Sequence, residues 1–213
     1  MSENTNAEIN QEQAAKRFEL WTGITLAFFA AVLAITDLGA GKYGDDEIIG
    51  TNAQASALSW YQSKSIKQSL VEGQQDMLQA LLAAGVVNAE HAPALQNHVN
   101  TLQADIARYK KEKNEIMLGS AAVGKENWVQ DIDGELGKVI GAKEWEHKLA
   151  VLGAAGDVFD TAVLFLQLCL VLGALALVLH SPSMKKVFFS AMVLSGALGG
   201  YYAVQAFLQA TAG

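Results

Sequence analysis

Asp157 and Asp160 lie at the edge of an apolar run, and two carboxylates at this spacing could bind cations. Residues three apart share one face of a helix, and acidic side chains at membrane depth are candidates for ion pathways. In an oligomer the two carboxylates could line the entrance of a cation path. They could equally face headgroup water or cap the helix, and we favour this second interpretation.

Lysines and aromatic residues form a second group. Trp60, Lys64 and Lys67 lie on one side of a helix, and Tyr61 precedes Lys64 by three residues. Lysine side chains that cross aromatic rings make cation–π contacts. Lys64 and Lys67 are therefore candidates for a small anion-binding site at a subunit interface or pore. The alternative, which we favour, is a packing patch between helices with solvated lysines.

Two motifs could bind metal. Glu144 and His147 have the Glu-x-x-His spacing of di-metal helical bundles, but such sites need a second copy on a facing helix. The remaining histidines have no glutamate three residues before them: His91, His98 and His180. Residues 131–135 lack the ligand spacing of a calcium loop. We therefore predict no metal, no cofactor and no catalytic residue, and a protein that is not an enzyme.

Three apolar runs would position these groups: residues 22–38, 158–179 and 187–208. Each is close to the ~20 residues that cross a ~30 Å hydrocarbon core as a helix. Buried helices of a large soluble protein are the alternative, but the remaining chain is too short to enclose them. The runs predict transmembrane helices at 20–40, 158–179 and 187–208.

The polar segment 1–19 bears on whether the first run is a cleaved signal peptide. A signal peptide has a positive segment followed by an apolar core of about 7–15 residues. Here the segment is net acidic, the apolar run is longer, and Leu38-Gly39-Ala40 only imitates a cleavage site. We therefore expect an uncleaved signal-anchor.

Basic residues close to the spans predict an orientation. Lys16-Arg17 and Lys185-Lys186 lie on the same side of a three-span chain, and positive residues near span ends prefer the cytoplasm. The N-terminus and the short basic turn at 180–186 are predicted to be cytoplasmic and the middle domain periplasmic, in a bacterial cytoplasmic (inner) membrane. The net charge of −7 disfavours nucleic acid as a partner.

Residues 41–118 have the pattern of an extramembrane antiparallel helical hairpin that is similar to a coiled coil. Glycines within 39–46 are expected to end the first helix, and Pro93 suits the first turn of the returning helix. The outgoing helix has an imperfect heptad-like seam: Ile49, Ala53, Trp60, Leu70, Met77, Leu81 and Ala84. The returning helix has a cleaner apolar stripe: Leu95, Val99, Leu102, Ile106, Tyr109 and Ile116, broken only at Lys113.

Residues 119–157 are broken by glycines and lead into the second span. Six residues of this segment share one helical face: Trp128, Val129, Ile132, Leu136, Val139 and Ile140. Because the hairpin returns towards the membrane, an amphipathic stretch at the bilayer surface is one interpretation, and a third helix packed on the hairpin is the other. Trp128 and Trp145, together with Trp21 before the first span, are predicted interfacial anchors. From about residue 142 the helix is expected to continue into the second span.

Small residues at four-residue spacing give two spans a smooth face, which lets helices approach closely. The third span has such residues at Gly196, Gly199 and Gly200, and the first span at Ala27 and Ala31. These faces could pack within a subunit or between subunits.

The segment Ser59–Gln68 (SWYQSKSIKQ) resembles a stretch of the bacterial membrane family called domain of unknown function 4337. The second span, from Phe159-Asp160 through LQLCLVLGALAL, is similar to the penultimate helix of that family. The resemblance implies one N-terminal span, a polar helical region and two C-terminal spans. Residues 85–150 match only in character, and Cys169 stands where a smaller apolar residue is expected. No activity can be carried over from the family.

Together these features predict an all-α membrane protein with three transmembrane helices and a helical hairpin between the first two. We expect a structural, scaffolding or accessory-subunit role, with the lipid bilayer, further copies of the chain and a larger membrane-protein complex as partners. The alternative is an oligomeric ion channel or transport component, with Asp157 and Asp160 at the pore entrance and Lys64 and Lys67 near the path.

Overall fold

A computed structural model describes the backbone of residues 2–212 and the side chains of residues 12–212. Within this part the chain is helical, as predicted, apart from one short β-hairpin that was not expected. The elements in chain order are α1 (Ser2–Ala83), α2 (Ala92–Leu118), α3 (Ser120–Val123), a 3₁₀ turn (Lys125–Asn127), β1 (Asp131–Ile132), β2 (Glu135–Leu136), α4 (Ala142–Val178) and α5 (Pro182–Ala210). The chain divides into a bundle unit, made of the residues up to Glu47 and from Ala150 onwards, and a middle unit, Ile48–Leu149.

The expected break of the first helix at residues 39–46 is wrong, because α1 is continuous through them. A helical glycine costs roughly 1 kcal/mol relative to alanine. The cost is tolerated here because several helical turns flank these glycines on each side. Gly39 is also needed for packing, since a Cβ atom there would lie 2.4 Å from the ring of Phe207. This glycine therefore allows close helix approach instead of ending the helix.

In the bundle unit, α1, α4 and α5 are each long and apolar enough to cross a membrane, by length and composition. Ring contacts show how they pack. Phe18 meets Phe189 with a centroid separation of 5.3 Å, and Tyr43 stacks on Phe159 at 5.7 Å. Phe207 contacts Phe159 at 5.0 Å. Since low numbers of α1 meet low numbers of α5 and high numbers meet high, α1 and α5 run parallel.

The interior of the bundle unit is made of small and hydroxylated residues around a few large ones. Phe29, Leu166, Cys169 and Met192 form one buried cluster. Buried hydroxyl groups are satisfied by backbone carbonyls: the Ser195 hydroxyl donates to the Phe165 carbonyl at 2.7 Å. Polar side chains are thus tolerated here because each finds a partner.

In the middle unit the predicted apolar face of α2 is confirmed. Val99, Leu102, Ile106 and Ile116 are all buried. Pro93 lies in the first turn of α2 as expected, where its missing N–H removes no helical hydrogen bond. The pattern predicts burial well in this helix because its apolar residues recur at regular steps of three and four.

The predicted seam of α1 is only partly correct: Trp60 packs against the buried cluster that contains Ile116, but five of the seven predicted members are exposed. Leu70 and Met77 are exposed, whereas Ala57 and Gln68 are buried. The packed face combines small and polar side chains with the rings of Trp60 and Tyr61, and one of its polar residues, Lys64, has a charged partner on α2. Apolar content alone therefore selected mostly exposed residues of this helix.

The helical face predicted for residues 128–140 is also wrong, and with it the alternative of a third helix packed on a hairpin. This stretch contains a two-residue antiparallel β-hairpin in which Ile132 faces Glu135. Four glycines of the surrounding segment have positive φ: Gly119, Gly124, Gly134 and Gly137. Such angles lie outside the right-handed helical region. The location of this segment at a bilayer surface stays a prediction.

Candidate functional site

Lys64 makes an ion pair with Glu112 between α1 and α2. The lysine Nζ lies 2.6 Å from Oε2 of Glu112, and the side chains are only 17% and 9% exposed. Arg108 Nε lies 3.5 Å from the other carboxylate oxygen. Lys64 is therefore paired with a carboxylate of its own chain and is not a solvated lysine. Lys67 is exposed, so the two lysines do not form the predicted joint anion site.

A cation does lie over Tyr61, but it is not Lys64. The Lys113 Nζ is 5.3 Å from the centroid of the Tyr61 ring. Lys113 is the residue that interrupts the apolar stripe of α2. It joins the packed face by placing its charge against an aromatic ring.

Gln68 extends this polar layer by one helical turn. Its Nε2 donates to Glu72 Oε1 at 2.7 Å, while its own Oε1 is buried without a hydrogen-bond partner among the described residues. A buried acceptor left unpaired costs about 1–3 kcal/mol. Lys64, Gln68 and Glu112 thus form a polar layer that is held chiefly by the ion pair between Lys64 and Glu112.

Glu115 is the most completely coordinated carboxylate of the middle unit. Its side chain is fully buried. Oε1 accepts from the Ser120 hydroxyl at 2.7 Å, and Oε2 accepts from the backbone N–H groups of Val129 at 2.8 Å and Gln130 at 2.9 Å. Hydrogen bonds to a charged acceptor are stronger than neutral ones. The carboxylate therefore fixes the irregular segment onto the end of α2.

Ser120 continues this network. Its hydroxyl accepts from the Val139 N–H at 2.9 Å, and its own N–H donates to the Val139 carbonyl at 2.9 Å. The Trp128 indole N–H donates to the Ser120 carbonyl at 2.7 Å. One serine thus ties both arms of the segment together.

The turn between β1 and β2 is made by Asp133 and Gly134, both with positive φ. Asp-Gly is a preferred pair for a two-residue hairpin turn, because both central positions require this conformation. The Asp131 side chain accepts from the Gly134 N–H at 2.6 Å. This aspartate closes a turn, and the Asp-Gly pair was the sequence signal for a hairpin.

Glu144 lies at the start of α4 and acts on the backbone. Its Oε2 accepts from the Gly141 N–H at 3.2 Å, as a glutamate in the first helical turn does in a capping box. His147 is exposed, and no cluster of three or more metal-ligating side chains occurs among the described residues. The two residues of the Glu-x-x-His motif therefore have different environments.

Asp157 and Asp160 are both exposed on α4. Because α4 begins at Ala142, neither aspartate can cap the N-terminus of that helix. This removes one of the alternatives derived from the sequence, and leaves headgroup water or an ion path. Asp160 follows Asp157 on one face, which continues into the exposed Leu164.

The predicted packing residues differ in their surroundings. A Cβ at Gly196 would lie 2.5 Å from the Phe29 ring, and one at Gly199 would lie 3.0 Å from the Leu166 backbone nitrogen; Gly200 has nothing within 4 Å. Ala27 and Ala31 are exposed. Gly196 and Gly199 thus face other helices of the bundle unit, whereas the alanines and Gly200 do not.

The tryptophans named as anchors also differ. Trp21 is 63% exposed, whereas Trp128 and Trp145 are half-buried. Trp145 lies beside Gly50 of the middle unit and has the Lys148 Nζ 5.3 Å from its ring centroid. Packing within the chain therefore accounts for much of the surface of the latter two.

Glu112, Glu115 and Ser120 were missed by reasoning from the sequence. Glu112 and Glu115 lie on either side of Lys113, which interrupts the apolar stripe of α2. Charged residues at such positions normally indicate a solvent-facing side of a helix. The available signal was the spacing of the two glutamates: both fall within one turn of Ile116, a fully buried residue of the apolar stripe.

Comparison with known proteins supplies a family. The model of the family described as "Domain of unknown function (DUF4337)" matches residues 18–209. This confirms the resemblance seen in Ser59–Gln68 and extends it over nearly the whole chain. No curated protein and no solved structure matches at a significant level.

Proposed function

The chain belongs to the family of domain of unknown function 4337, and from this premise we propose that it is an integral membrane protein with a structural role, assembled as a homo-oligomer. Membrane insertion, the first part of the proposal, depends on one observation, the distribution of apolar side chains in the bundle unit. Phe28, Leu38, Leu164 and Leu194 are exposed. Large exposed apolar patches are rare on soluble monomers, so a lipid environment accounts for this surface.

The interior supports the same conclusion. The helices of the bundle unit bury small residues, among them Ala155, Ala162 and Ala206, and the Ser195 hydroxyl of α5 donates to the Phe165 carbonyl of α4. Without a hydrophobic force between helices in lipid, small residues and interhelical hydrogen bonds provide the association. The largest side chains can then face the acyl chains.

The length of the packed segment agrees with a membrane. From the Phe18–Phe189 contact to the Tyr43–Phe207 contact, α1 rises about 38 Å at ~1.5 Å per residue. This exceeds the ~30 Å of a hydrocarbon core by enough to place both ring contacts near the interfaces.

The ion pair between Lys185 and Glu19, at 2.6 Å, supports the proposed orientation. It brings the start of α5 to the same end of the bundle unit as residues 16–17. Both basic pairs then lie on one side, which the preference of positive charge assigns to the cytoplasm. Residues 48–149 would lie in the periplasm of a bacterial inner membrane.

A structural role fits how the middle unit uses its polar groups. Glu115 is occupied by three donors from the segment 120–130, and Lys64 by Glu112. The contacts Lys64–Glu112 and Tyr61–Lys113 support an antiparallel hairpin, because the higher-numbered residue of α1 meets the lower-numbered residue of α2. Such internally satisfied groups rigidify a domain, as a spacer or scaffold requires.

The test is the assembly state and conductance of the full chain. Purified in nanodiscs, the protein is expected to give a single oligomeric mass by native mass spectrometry and no current in planar bilayers. A monomer at all concentrations would overturn the assembly. A fraction that is soluble without detergent after membrane washing would overturn membrane insertion.

A second candidate function, an ion channel or transport component, is favoured by Asp157 and Asp160. Both are exposed on a face that continues into apolar residues, and a charge facing hydrocarbon is costly. Around an oligomer axis they would line a wet cation entrance. The channel predicts a cation current that falls in Asp160→Asn, with Glu90→Gln as the control of equal charge change. Absence of current from the wild-type oligomer contradicts it.

A further inference from the structure

The outer face of α1 in the middle unit carries a second seven-residue repeat. Its positions alternate steps of three and four and are all exposed: Ile49, Asn52, Ser56, Ser59, Ser63, Ile66, Leu70, Gly73, Met77 and Ala80. We call this set the outer seam. None of its ten members is charged. A helix face that meets only water is normally rich in charge, so the composition of this face needs another explanation.

The distal half of the outer seam is strongly apolar. Ile66, Leu70 and Met77 are 70%, 64% and 65% exposed. Their spacing is that of the a and d positions of a coiled coil, at which side chains insert into a facing helix. The proximal half is small and hydroxylated, and Ser59 and Ser63 border a shallow groove beside Trp60. Small residues there allow a second helix to approach closely.

The outer seam is distinct from the surface that packs α2. Ala57 and Gln68 are buried, and Lys64 contacts Glu112; all three belong to the opposite side of α1. The helix therefore has one face covered within the chain and another left open. An open face with a regular apolar repeat is the pattern of an association surface.

We propose that the outer seam binds the outer seam of a second copy of this chain as a parallel two-stranded coiled coil. This inference rests on the proposed homo-oligomeric membrane protein. Copies inserted in one bilayer share an orientation, so two α1 helices that meet along this face run parallel. Each seam residue then meets its own equivalent, as in an isologous interface.

The size of the seam is sufficient for a stable pair. From Ile49 to Ala80 the helix rises about 47 Å at ~1.5 Å per residue. A stripe one helix diameter wide, ~10 Å, gives about 500 Å² on each helix and roughly 1,000 Å² in total, which is the lower limit of a specific interface.

The charges beside the seam are compatible with a parallel pair. The exposed flanking charges are Lys67 and Asp76. In a parallel pair a flanking residue faces the one five positions away on the other helix. Lys67 then meets Gln62 of the second copy, and Asp76 meets Leu81 of the second copy. No like charges face each other, so nothing along the seam opposes the pairing.

Disulfide cross-linking of the full chain in membranes tests the proposal. In a Cys169→Ala background, Ser59→Cys, Ser63→Cys and Leu70→Cys are each expected to form dimers under mild oxidation, because cross-linked Cα atoms must lie within about 7 Å. Gln79→Cys and Lys111→Cys, exposed off the seam on α1 and α2, are matched controls. We expect them to cross-link at least tenfold less. Equal cross-linking at the controls would overturn the proposal.

A second measurement separates this inference from the proposed function. Native mass spectrometry of Leu70→Glu/Met77→Glu is expected to show loss of the dimer with unchanged helical circular dichroism, whereas Gln79→Glu retains it. A wild-type oligomer without seam cross-links would overturn the outer seam alone. A wild-type monomer would overturn both the seam and the oligomeric function.

Discussion

The carboxylate of Glu115 and the hydroxyl of Ser120 lie 2.7 Å apart in a fully buried contact, and this pair organises the segment that follows α2. The Ser120 hydroxyl also accepts a hydrogen bond from the Val139 N–H at 2.9 Å, 19 residues further along the chain. The position of the irregular segment on α2 is therefore set more by the buried Glu115 carboxylate than by the short helix and strands of the segment itself. Its two-residue strands could not hold it alone.

Glu115→Gln tests this dependence. The amide keeps the shape but has one acceptor oxygen, so its NH₂ group must face either the Ser120 hydroxyl or the N–H groups of Val129 and Gln130. We expect a loss of about 1–3 kcal/mol in the free energy of unfolding and faster trypsin cleavage after Lys125. Glu146→Gln, an exposed change of the same kind, should leave both unchanged. Equal stability of the two variants would contradict the organising role.

Lys64→Met tests the polar layer between α1 and α2. Removing the cation leaves a buried carboxylate at Glu112, which costs about 3–5 kcal/mol where the remaining charge is isolated. Arg108 remains 3.5 Å away, so we expect a smaller loss of about 2 kcal/mol, measured by denaturation in detergent. Lys67→Met, at an exposed position, should be neutral. Adding Glu112→Leu to Lys64→Met should restore most of the stability, and failure to do so would refute the assignment.

Gly141→Ala tests the close approach of two backbone segments. A Cβ there would lie 2.2 Å from the Gly119 nitrogen and 2.4 Å from the Leu118 carbonyl carbon, and backbone atoms cannot rotate away. Overpacking costs about 1–3 kcal/mol, and occasionally more, and we expect the upper end of this range. Gly44→Ala, helical with nothing within 4 Å, should instead stabilise by roughly 0.5–1 kcal/mol. Thermal melting of the two variants in opposite directions is the expected result.

The parts of the fold that were predictable are those in which one physical term dominates. The apolar runs, Pro93 and the stripe of α2 each follow from burial or backbone chemistry alone. The face of α1 was not predictable in this way, because its buried side contains an ion pair and its open side contains Leu70 and Met77. Ranking residues by hydrophobicity selects Leu70 and Met77 and misses Lys64, which lies on the packed face because Glu112 on the other helix pairs with it.

The candidate site was less predictable because its chemistry is made by tertiary contacts. Glu115 is an ordinary acid in the sequence, and its donors at Val129 and Gln130 are backbone groups that any residue could supply. Residues 128–140 were interpreted as one helical face because their apolar spacing fits a helix. The glycines and the Asp133-Gly134 pair contradicted that spacing, and local backbone chemistry prevailed.

The Lys185–Glu19 ion pair should respond to pH. The Lys185 ammonium beside Glu19 lowers the pKa of that carboxyl, first by hydrogen bonding and then by charge. Because the pKa is lower in the folded protein, the stabilisation is present above the ordinary glutamate pKa and is lost as the pH falls through the lowered value. The effect is expected to be small and salt-dependent. The melting difference between wild type and Glu19→Gln should vanish in acid, and a difference that grows in acid would contradict the assignment.

Gly199 and Gly200 provide the sharpest comparison in the bundle unit, since they are adjacent in sequence and opposite in environment. A Cβ at Gly199 would lie 2.7 Å from the Leu166 side chain and 3.1 Å from the Ala162 carbonyl oxygen, whereas Gly200 has nothing within 4 Å. Gly199→Ala must therefore separate α5 from α4, at about 1–3 kcal/mol. Gly200→Ala should be neutral or slightly stabilising in the isolated chain.

The same pair distinguishes packing within the chain from packing between copies. If α5 meets another copy through Gly200, then Gly200→Ala should weaken the oligomer while leaving the melting temperature of the dissociated protomer unchanged. If Gly200 faces lipid, both quantities should stay at the wild-type value. Thermal melting at low protein concentration and native mass spectrometry together separate these outcomes. A protomer destabilised more by Gly200→Ala than by Gly199→Ala would contradict the helix packing described for α4 and α5.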